Sequence, residues 1–185
     1  MIIIDNFFSS EEYQTFRSHL DREISTNDRL LPQCVYDSEE DHMNLENSQC
    51  FELEAQAKTY FLKTLVDRVI LYDKILSTRK CIFRYNLTKY PYYTRWHKDR
   101  TTNWKDSEVN VFAIMFFMNK DWNNDHGGLF IYKDDDATVG KFIEPVDNRL
   151  VINWEDKVHR VLPIQNTEVQ RHSLQLFVPS EYYIR

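Results

Sequence analysis

Hydrophobic residues near the amino terminus recur with the period of an α-helix. Ser9, with Glu12 three residues later, makes the capping box that opens many helices. Apolar side chains then recur every three or four residues, which predicts an amphipathic helix. They are Tyr13, Phe16, Leu20 and Ile24.

A polar, acidic and aperiodic stretch, residues 26–48, follows this helix. We expect a long loop there, and loops of this length are often functional. The helical spacing then returns, and a second helix is predicted over about 52–72 with one apolar stripe. The stripe consists of Leu53, Ala57, Phe61 and Leu65.

From residue 79 the pattern changes to short runs of β-branched and aromatic residues separated by Asn, Asp and Gly. This change predicts many short strands and therefore a barrel or sandwich. The expected fold class is mainly β with flanking α: a double-stranded β-helix, the jelly-roll or cupin-like barrel, supported by the N-terminal helices. Strands are predicted near residues 80–86, 92–97, 109–118, 128–133, 140–146, 149–154, 158–162 and 171–178.

Composition favours a single domain over residues 1–185, with helical support in 1–78 and a jelly-roll core in 79–178. Of the 185 residues, 42% are hydrophobic and 15% are aromatic, which suffices for a sizeable core. The formal net charge is -6 and Lys and Arg form no cluster, so we expect no nucleic acid among the partners. The oligomeric state stays open.

Cysteine usage and hydropathy bear on location. Cys34, Cys50 and Cys81 are an odd number without CxxC spacing, which favours buried thiols over a disulfide framework or a zinc site. Residues 1–5 lack the basic and long apolar segments of a signal peptide, and no stretch reaches membrane-spanning length. We therefore expect a cytoplasmic protein without a membrane partner.

Three residues are candidate metal ligands. His97 and Asp99, two positions apart, project to the same side where a strand ends, although a solvated surface pair is the alternative. His159 lies between apolar neighbours that predict a strand returning past the first, and a hydrogen-bonded structural histidine is the alternative there. Two imidazoles and one carboxylate can hold Fe(II) on one face and leave the opposite face open.

The last predicted strand separates polar from apolar side chains. Arg171, Ser173 and Gln175 share one face. If this face lies in water, it needs no ligand. If it looks into the barrel, the guanidinium needs an anion, and a dicarboxylate bound with help from the hydroxyl supplies one. The apolar residues of the other face are Leu174, Leu176 and Val178.

In this order and at this spacing, the residues resemble the Fe(II)/2-oxoglutarate-dependent oxygenases, and within them the prolyl 4-hydroxylase-like branch. The similarity covers about residues 79–178, more than half of the chain. Ile4-Asp5-Asn6-Phe7-Phe8-Ser9 also resembles the segment before the family's first helix. The further matching motifs are Phe117-Met118-Asn119-Lys120-Asp121-Trp122, Gly127-Gly128-Leu129 and Glu144-Pro145-Val146-Asp147-Asn148-Arg149-Leu150-Val151.

The resemblance implies roles for the residues at matching positions. Arg171 would bind the distal carboxylate of 2-oxoglutarate. Tyr85 would lie beside this cosubstrate, although a core tyrosine with a satisfied hydroxyl is the alternative. The implied cofactors are Fe(II) and 2-oxoglutarate, with ascorbate as a candidate reductant. The implied iron ligands are His97, Asp99 and His159.

The chain departs from the family at one informative position. Oxygen-sensing members carry a tyrosine where this chain has Phe117, and its hydroxyl helps to hold the distal carboxylate. Ser173, on the same strand face as Arg171, is the candidate replacement. Asp99 keeps the carboxylate that related halogenases lack, which favours hydroxylation. The demethylases that act on nucleic acids carry a further arginine downstream, whereas here only Arg185 follows.

The implied reaction is hydroxylation of an unactivated C–H bond with release of succinate and CO2. A peptidyl proline and a free amino acid or other small metabolite are both open as substrates. The loops over 26–48, 87–95 and 100–108 would decide between them. Two other functions stay open from the residues alone: a non-catalytic cupin-type barrel that binds metal or sugar, and an interaction module acting through the acidic segment 37–41.

Three local features have ordinary interpretations. Gly127 and Gly128 fit a hairpin entry with unusual dihedral angles, and a close backbone approach near the barrel mouth is the alternative. His126 beside them is expected to be a loop residue rather than a fourth ligand. The three aspartates 134–136 are expected to form a solvated turn rather than a cation site.

Overall fold

The structure is a computed structural model that describes residues 1–26, 48–53, 56–68, 82–101, 109–154 and 157–179. This part of the chain contains two helices, α1 (Ser10–Thr26) and α2 (Gln56–Arg68). Its ten strands are β1 (Ile2–Ile4), β2 (Ser48–Glu52), β3 (Ile82–Lys89), β4 (Arg100–Thr101), β5 (Val109–Phe117), β6 (Phe130–Lys133), β7 (Lys141–Ile143), β8 (Arg149–Asn153), β9 (Val158–Val161) and β10 (Gln170–Pro179).

The strands form two antiparallel sheets. The larger sheet has the order β1-β8-β5-β10-β3-β2, and β4 pairs with β5 beside this path. The smaller sheet has the order β7-β6-β9. The expected class, mainly β with flanking α, is confirmed.

The first helix begins as predicted. The Ser9 N–H donates to Glu12 Oε2 at 2.7 Å and the Glu12 N–H donates to Ser9 Oγ at 3.3 Å, so the capping box is formed. Phe16 and Leu20 are fully buried on the inner side of the helix. α1 continues to Thr26, into the first residue of the predicted loop.

The main core lies between the helices and the large sheet, and Phe116 of β5 is at its centre. Its ring centroid lies 5.3 Å from that of Phe8, 5.7 Å from Phe61 and 5.8 Å from Phe16. These distances are in the favourable range for aromatic pairs. The apolar face of β10 lies in the same core: Leu174, Leu176 and Val178.

A second, smaller core fills the space between the two sheets. Phe117 of this core shows which way the polar face of β10 points. Ser173 is paired with Phe117, and the Arg171 guanidinium lies over the Phe117 ring. Arg171 and Ser173 are only 3% and 1% exposed, so the polar face looks into the barrel and not into water. The buried residues of this core are Met115, Phe117, Phe130, Ile143, Val151 and Val161.

The prediction of a strand over residues 92–97 is wrong. His97 forms an isolated bridge with His159, but the residues before it join no ladder. The segment does run beside the end of β9, since the Thr94 N–H donates to the Val161 carbonyl at 3.0 Å. Side chains interrupt the ladder: the Val161 N–H donates to Thr94 Oγ1, and the Arg95 carbonyl accepts from the ring Nδ1 of His97. The other seven predicted strands are confirmed within a few residues.

Three short strands were not predicted. β1 and β4 have three and two residues, too few for a period of two to show. β2 begins with Ser48 and Gln49, in the polar stretch that the sequence assigned to the loop. Its last residue, Glu52, takes the place where the second helix was expected to begin, and α2 starts at Gln56 instead.

Cys50 is buried and makes no disulfide within the described part of the chain. Cys34, Cys81 and the acidic segment 37–41 lie outside the described residues. None of the described helices combines the length and the apolar character needed to cross a membrane.

Candidate functional site

The fold brings three of the predicted residues together. His97 and Asp99 stand just before β4, and His159 is on β9. Their ligand atoms, one from each side chain, all lie within 4.8 Å of one another. His159 Nε2 is 3.6 Å from Asp99 Oδ2, and the two imidazole centroids are 4.4 Å apart. One metal ion can therefore reach all three side chains.

Backbone hydrogen bonds fix the spacing of the two histidines. The His97 N–H donates to the His159 carbonyl and the His159 N–H donates to the His97 carbonyl, both at 2.9 Å. Such a reciprocal pair is the hydrogen-bonded pair of an antiparallel ladder, with Cα atoms about 5.5 Å apart. The two imidazoles are thus held side by side by the backbone.

Each imidazole is also oriented through its Nδ1. His97 Nδ1 lies 2.8 Å from the Arg95 carbonyl, and His159 Nδ1 lies 2.9 Å from the Lys157 carbonyl. Because a carbonyl only accepts, each Nδ1 carries the proton, which leaves Nε2 as the ligand atom. Binding of a metal through Nε2 requires this tautomer.

The carboxylate and one imidazole of the group are buried. Asp99 is 5% exposed and His159 is 4% exposed, whereas His97 is half-buried. The His159 ring is stacked on Phe130 with centroids 5.0 Å apart. Burial raises the pKa of Asp99, but the neighbouring His159 and His97 outweigh burial, so the pKa lies below its ordinary value. Asp99 is therefore a carboxylate ready to bind a cation.

Asn153 of β8 supports this arrangement, and the sequence did not single it out. Its side-chain Oδ1 accepts from the Lys157 N–H at 3.0 Å, and its Nδ2 donates to the Lys157 carbonyl at 3.3 Å. The same carbonyl accepts from His159. An asparagine directly after the apolar run 150–152 was the available signal in the sequence, and the structure shows that it is fully buried.

The second part of the site surrounds Arg171. Within the described residues, neither Arg171 Nε nor the buried Ser173 Oγ has a hydrogen-bond partner. The guanidinium carbon lies 4.9 Å from the centroid of the Phe117 ring. Burial lowers the pKa of Arg171 to about 10, although Tyr92 opposes this shift. A buried guanidinium in such surroundings calls for an anion.

The two glycines shape this pocket. Gly127 and Gly128 have φ values of 72° and 64°, so the predicted unusual dihedral angles are present. A Cβ on Gly127 would lie 2.2 Å from the Pro163 carbonyl oxygen. A Cβ on Gly128 would lie 3.3 Å from Arg171 Cδ and 3.0 Å from Trp122 Cζ2. Gly128 therefore also provides the close backbone approach that was the alternative, since it packs against the arginine.

Tyr85 does not join these residues. Its Cα is paired with that of Leu174, whose side chain belongs to the core under the helices, and Tyr85 lies in the same core. Its hydroxyl is 2.5 Å from His172 Nδ1. The expectation that Tyr85 lies beside the cosubstrate disagrees with this placement, because it points to the opposite face of the sheet from Arg171.

Two other polar features lie apart from the metal group. His126 sits in a single 3-10 turn, with its ring 5.2 Å from that of Trp122. Asp135 pairs with Lys98 at 2.8 Å, and Asp134 pairs with Lys157. Both aspartates are more than half exposed, as expected for a solvated turn.

A family model described as the 2OG-Fe(II) oxygenase superfamily matches residues 83–179. Because this span is just over half of the chain, the protein belongs to that superfamily. It is therefore an Fe(II)- and 2-oxoglutarate-dependent dioxygenase, as the site residues indicated. No curated protein sequence matches the chain.

Solved structures with a similar fold include prolyl hydroxylases. A prolyl-4-hydroxylase from Pseudomonas putida is 19% identical with a TM-score of 0.69, covering 96% of this chain and 91% of that chain. A prolyl hydroxylase from Trichoplax adhaerens, solved with a hypoxia inducible factor peptide fragment, is 17% identical with a TM-score of 0.68, covering 97% and 83%.

A third structure extends the comparison beyond prolyl hydroxylases. HygX from Streptomyces hygroscopicus, solved with nickel and 2-oxoglutarate bound, is 10% identical with a TM-score of 0.61, covering 97% of this chain and 82% of that chain. At such identities the likeness concerns the fold, which confirms the predicted double-stranded β-helix.

Proposed function

We propose that this dioxygenase hydroxylates prolyl residues in peptides, releasing succinate and CO2. The observation that carries the proposal is that two sites lie in one barrel. One is a buried carboxylate flanked by two oriented imidazoles, and the other is a buried arginine whose Nε has no partner in the described part of the chain.

The residues present fit both cofactors. Two imidazole Nε2 atoms and one carboxylate form the donor set that non-haem Fe(II) takes in oxygenases. The pocket at Arg171 and Ser173 offers hydrogen-bond donors and a positive charge, which suit a carboxylate. We therefore assign Fe(II) to His97, Asp99 and His159, and the distal carboxylate of 2-oxoglutarate to the other two residues.

The protein's own contribution is to bind the cofactors, to orient the side chains that hold them and to exclude water from the site. When bound, the Fe(II) and 2-oxoglutarate pair supplies O2-dependent oxidation of a C–H bond. The carbonyls that accept from the two Nδ1 atoms hold the imidazoles in one tautomer and orientation. Phe117 and Phe130, both buried, exclude water from the space between the sheets.

A peptidyl proline is the substrate that the comparisons support best. Prolyl hydroxylases from two organisms share the fold over at least 96% of this chain, and one of them was solved with a peptide. A small molecule is the second candidate, because a HygX structure holds hygromycin B together with nickel and 2-oxoglutarate. Tyr92 and Tyr93, both half-buried in the segment before His97, are candidates to contact either substrate.

The test is succinate release measured against proline-containing peptides, the same peptides with alanine in place of proline, and free amino acids. We expect succinate and a product heavier by one oxygen with the proline peptides alone. Oxidation of a free amino acid with no peptide turnover would overturn the peptide proposal.

Two single histidine variants test the assigned iron site. His97→Ala is expected to lose succinate release, whereas His19→Ala, on α1 at the other side of the large sheet, is expected to keep it. Full turnover by His97→Ala would contradict the ligand assignment.

The non-catalytic cupin-type barrel is disfavoured by family membership and by the buried arginine, for which a simple metal or sugar site has no use. The interaction module through segment 37–41 concerns residues outside the described part. A cytoplasmic location stays a prediction.

A further inference from the structure

A third buried donor lies beside the two that we assigned to the cosubstrate. Besides Arg171 Nε and Ser173 Oγ, Nδ2 of Asn86 on β3 is buried without a hydrogen-bond partner among the described residues. Buried donors in proteins are nearly always hydrogen-bonded. Three such atoms close together indicate a place where a ligand supplies the acceptors.

Strand pairing places Asn86 directly beside Ser173. β10 has β5 on one side and β3 on the other, and Ser173 is paired with Phe117 on β5 and with Asn86 on β3. Directly paired residues point to the same face, with Cβ atoms about 4.5–5.5 Å apart. The three side chains therefore form one row across the inner face of the large sheet.

The two ends of this row differ in chemistry. Phe117 supports the Arg171 guanidinium with its ring but has no group that could donate a hydrogen bond. The residue paired with Ser173 on β5 therefore offers no donor to a carboxylate. On the β3 side the Asn86 amide offers one.

The neighbours of Asn86 along β3 contact other groups. The Arg84 guanidinium, on the same face of the sheet, lies over the Phe177 ring with its carbon 5.8 Å from the ring centroid. The Thr88 hydroxyl donates to the Arg171 carbonyl at 3.3 Å. The Tyr85 hydroxyl is bonded to His172 on the opposite face of the sheet. Neither hydroxyl is placed to meet a carboxylate next to Ser173.

We infer that Asn86 binds the cosubstrate, its side-chain amide donating to the carboxylate that Arg171 and Ser173 hold. This inference rests on the proposed function. An ionised carboxylate has about four acceptor sites, so a guanidinium, a hydroxyl and an amide can all be accommodated. Asn86 thus supplies on β3 the donor that Phe117 lacks on β5.

The test is the affinity for 2-oxoglutarate of the full chain loaded with Mn(II), measured by calorimetry, in two variants. Asn86→Leu keeps a similar volume without a donor, and we expect binding roughly tenfold weaker. Asn86→Asp places a carboxylate against the cosubstrate carboxylate, and we expect a larger loss. In turnover with Fe(II), the Asn86→Leu defect should appear as a raised KM for 2-oxoglutarate, with kcat nearly unchanged at saturation.

Tyr85→Phe is the matched control, since Tyr85 is the adjacent residue on the other face of the same strand. We expect it to bind 2-oxoglutarate as the unmodified protein does. Unchanged affinity in Asn86→Leu, or a loss in Tyr85→Phe of the same size, would overturn the inference. If the unmodified Mn(II) protein binds no 2-oxoglutarate at all, the proposed function itself fails.

Circular dichroism and thermal unfolding of the metal-free variants exclude a folding defect as the cause. Both Asn86 variants are expected to melt within a few degrees of the unmodified protein. A fall in binding stoichiometry that matches the lost folded protein, at unchanged affinity, would count against the inference.

Discussion

The two faces of the large sheet differ in how completely their groups are satisfied. The face under the helices is closed by aromatic and aliphatic side chains, with Phe116 fully buried among rings from both helices and the chain start. The inner face buries Arg171, Ser173 and the Asn86 amide nitrogen with polar atoms that lack partners in the described part of the chain. One face therefore stabilises the fold, and the other gives up some stability so that it can bind ligands.

The largest expected effect is on the closed face. Phe116→Ala should lower the free energy of unfolding by about 3–5 kcal/mol, because it removes a buried ring and leaves a cavity. Denaturant unfolding measures this change. Phe142→Ala, at a side chain that is 63% exposed on β7, is the control and should change stability by less than about 0.5 kcal/mol. Equal losses in the two variants would contradict the comparison.

The inner face should respond in the opposite way to loss of its charge. Arg171→Met removes a buried cation, so the free energy of unfolding of the metal-free protein should stay the same or rise. Affinity for 2-oxoglutarate should fall about 100-fold, since two charge-assisted hydrogen bonds are lost. Calorimetry and denaturant unfolding of one preparation give both values. A variant that is destabilised by several kcal/mol would show that Arg171 is structural.

The smallest expected effect is a pH dependence on the helix side. Burial, and after it the charge of Arg17, lowers the pKa of His172 below its ordinary value. The unfolded chain therefore binds a proton more readily than the folded one, so stability falls as pH drops through about 6.5 towards the folded pKa. Unfolding measured between pH 7.5 and 5 should show this slope, and His172→Phe should reduce it. An unchanged slope would assign the effect to other groups.

The sequence predicted the strands of the two sheets best where alternation was long. β10 shows this: the polar residues 171, 173 and 175 alternate with the apolar residues 174, 176 and 178, and this alternation predicts both the strand and the polarity of its two faces. Pattern alone could not decide which face was buried, because a polar face is equally compatible with water. The structure decides it through the pairing of Ser173 with Phe117.

The candidate metal group was predictable because its residue types and order are restrictive. Tyr85 shows the limit of such an argument. A shift of one residue in register moves every side chain of a strand to the other face, and a motif match does not define register at that precision. Asn86 follows Tyr85 and therefore lies on the inner face, but without the register of β3 the sequence gives no reason to place it there rather than in water.

The reciprocal backbone hydrogen bonds between His97 and His159 also bear on how the protein unfolds. The chain between these residues carries β4 to β8, five strands of the described part. An ion bound to both imidazoles closes this stretch into a loop, as a cross-link does. Bound metal should therefore lower the rate of unfolding, because the small sheet separates from the large one more slowly.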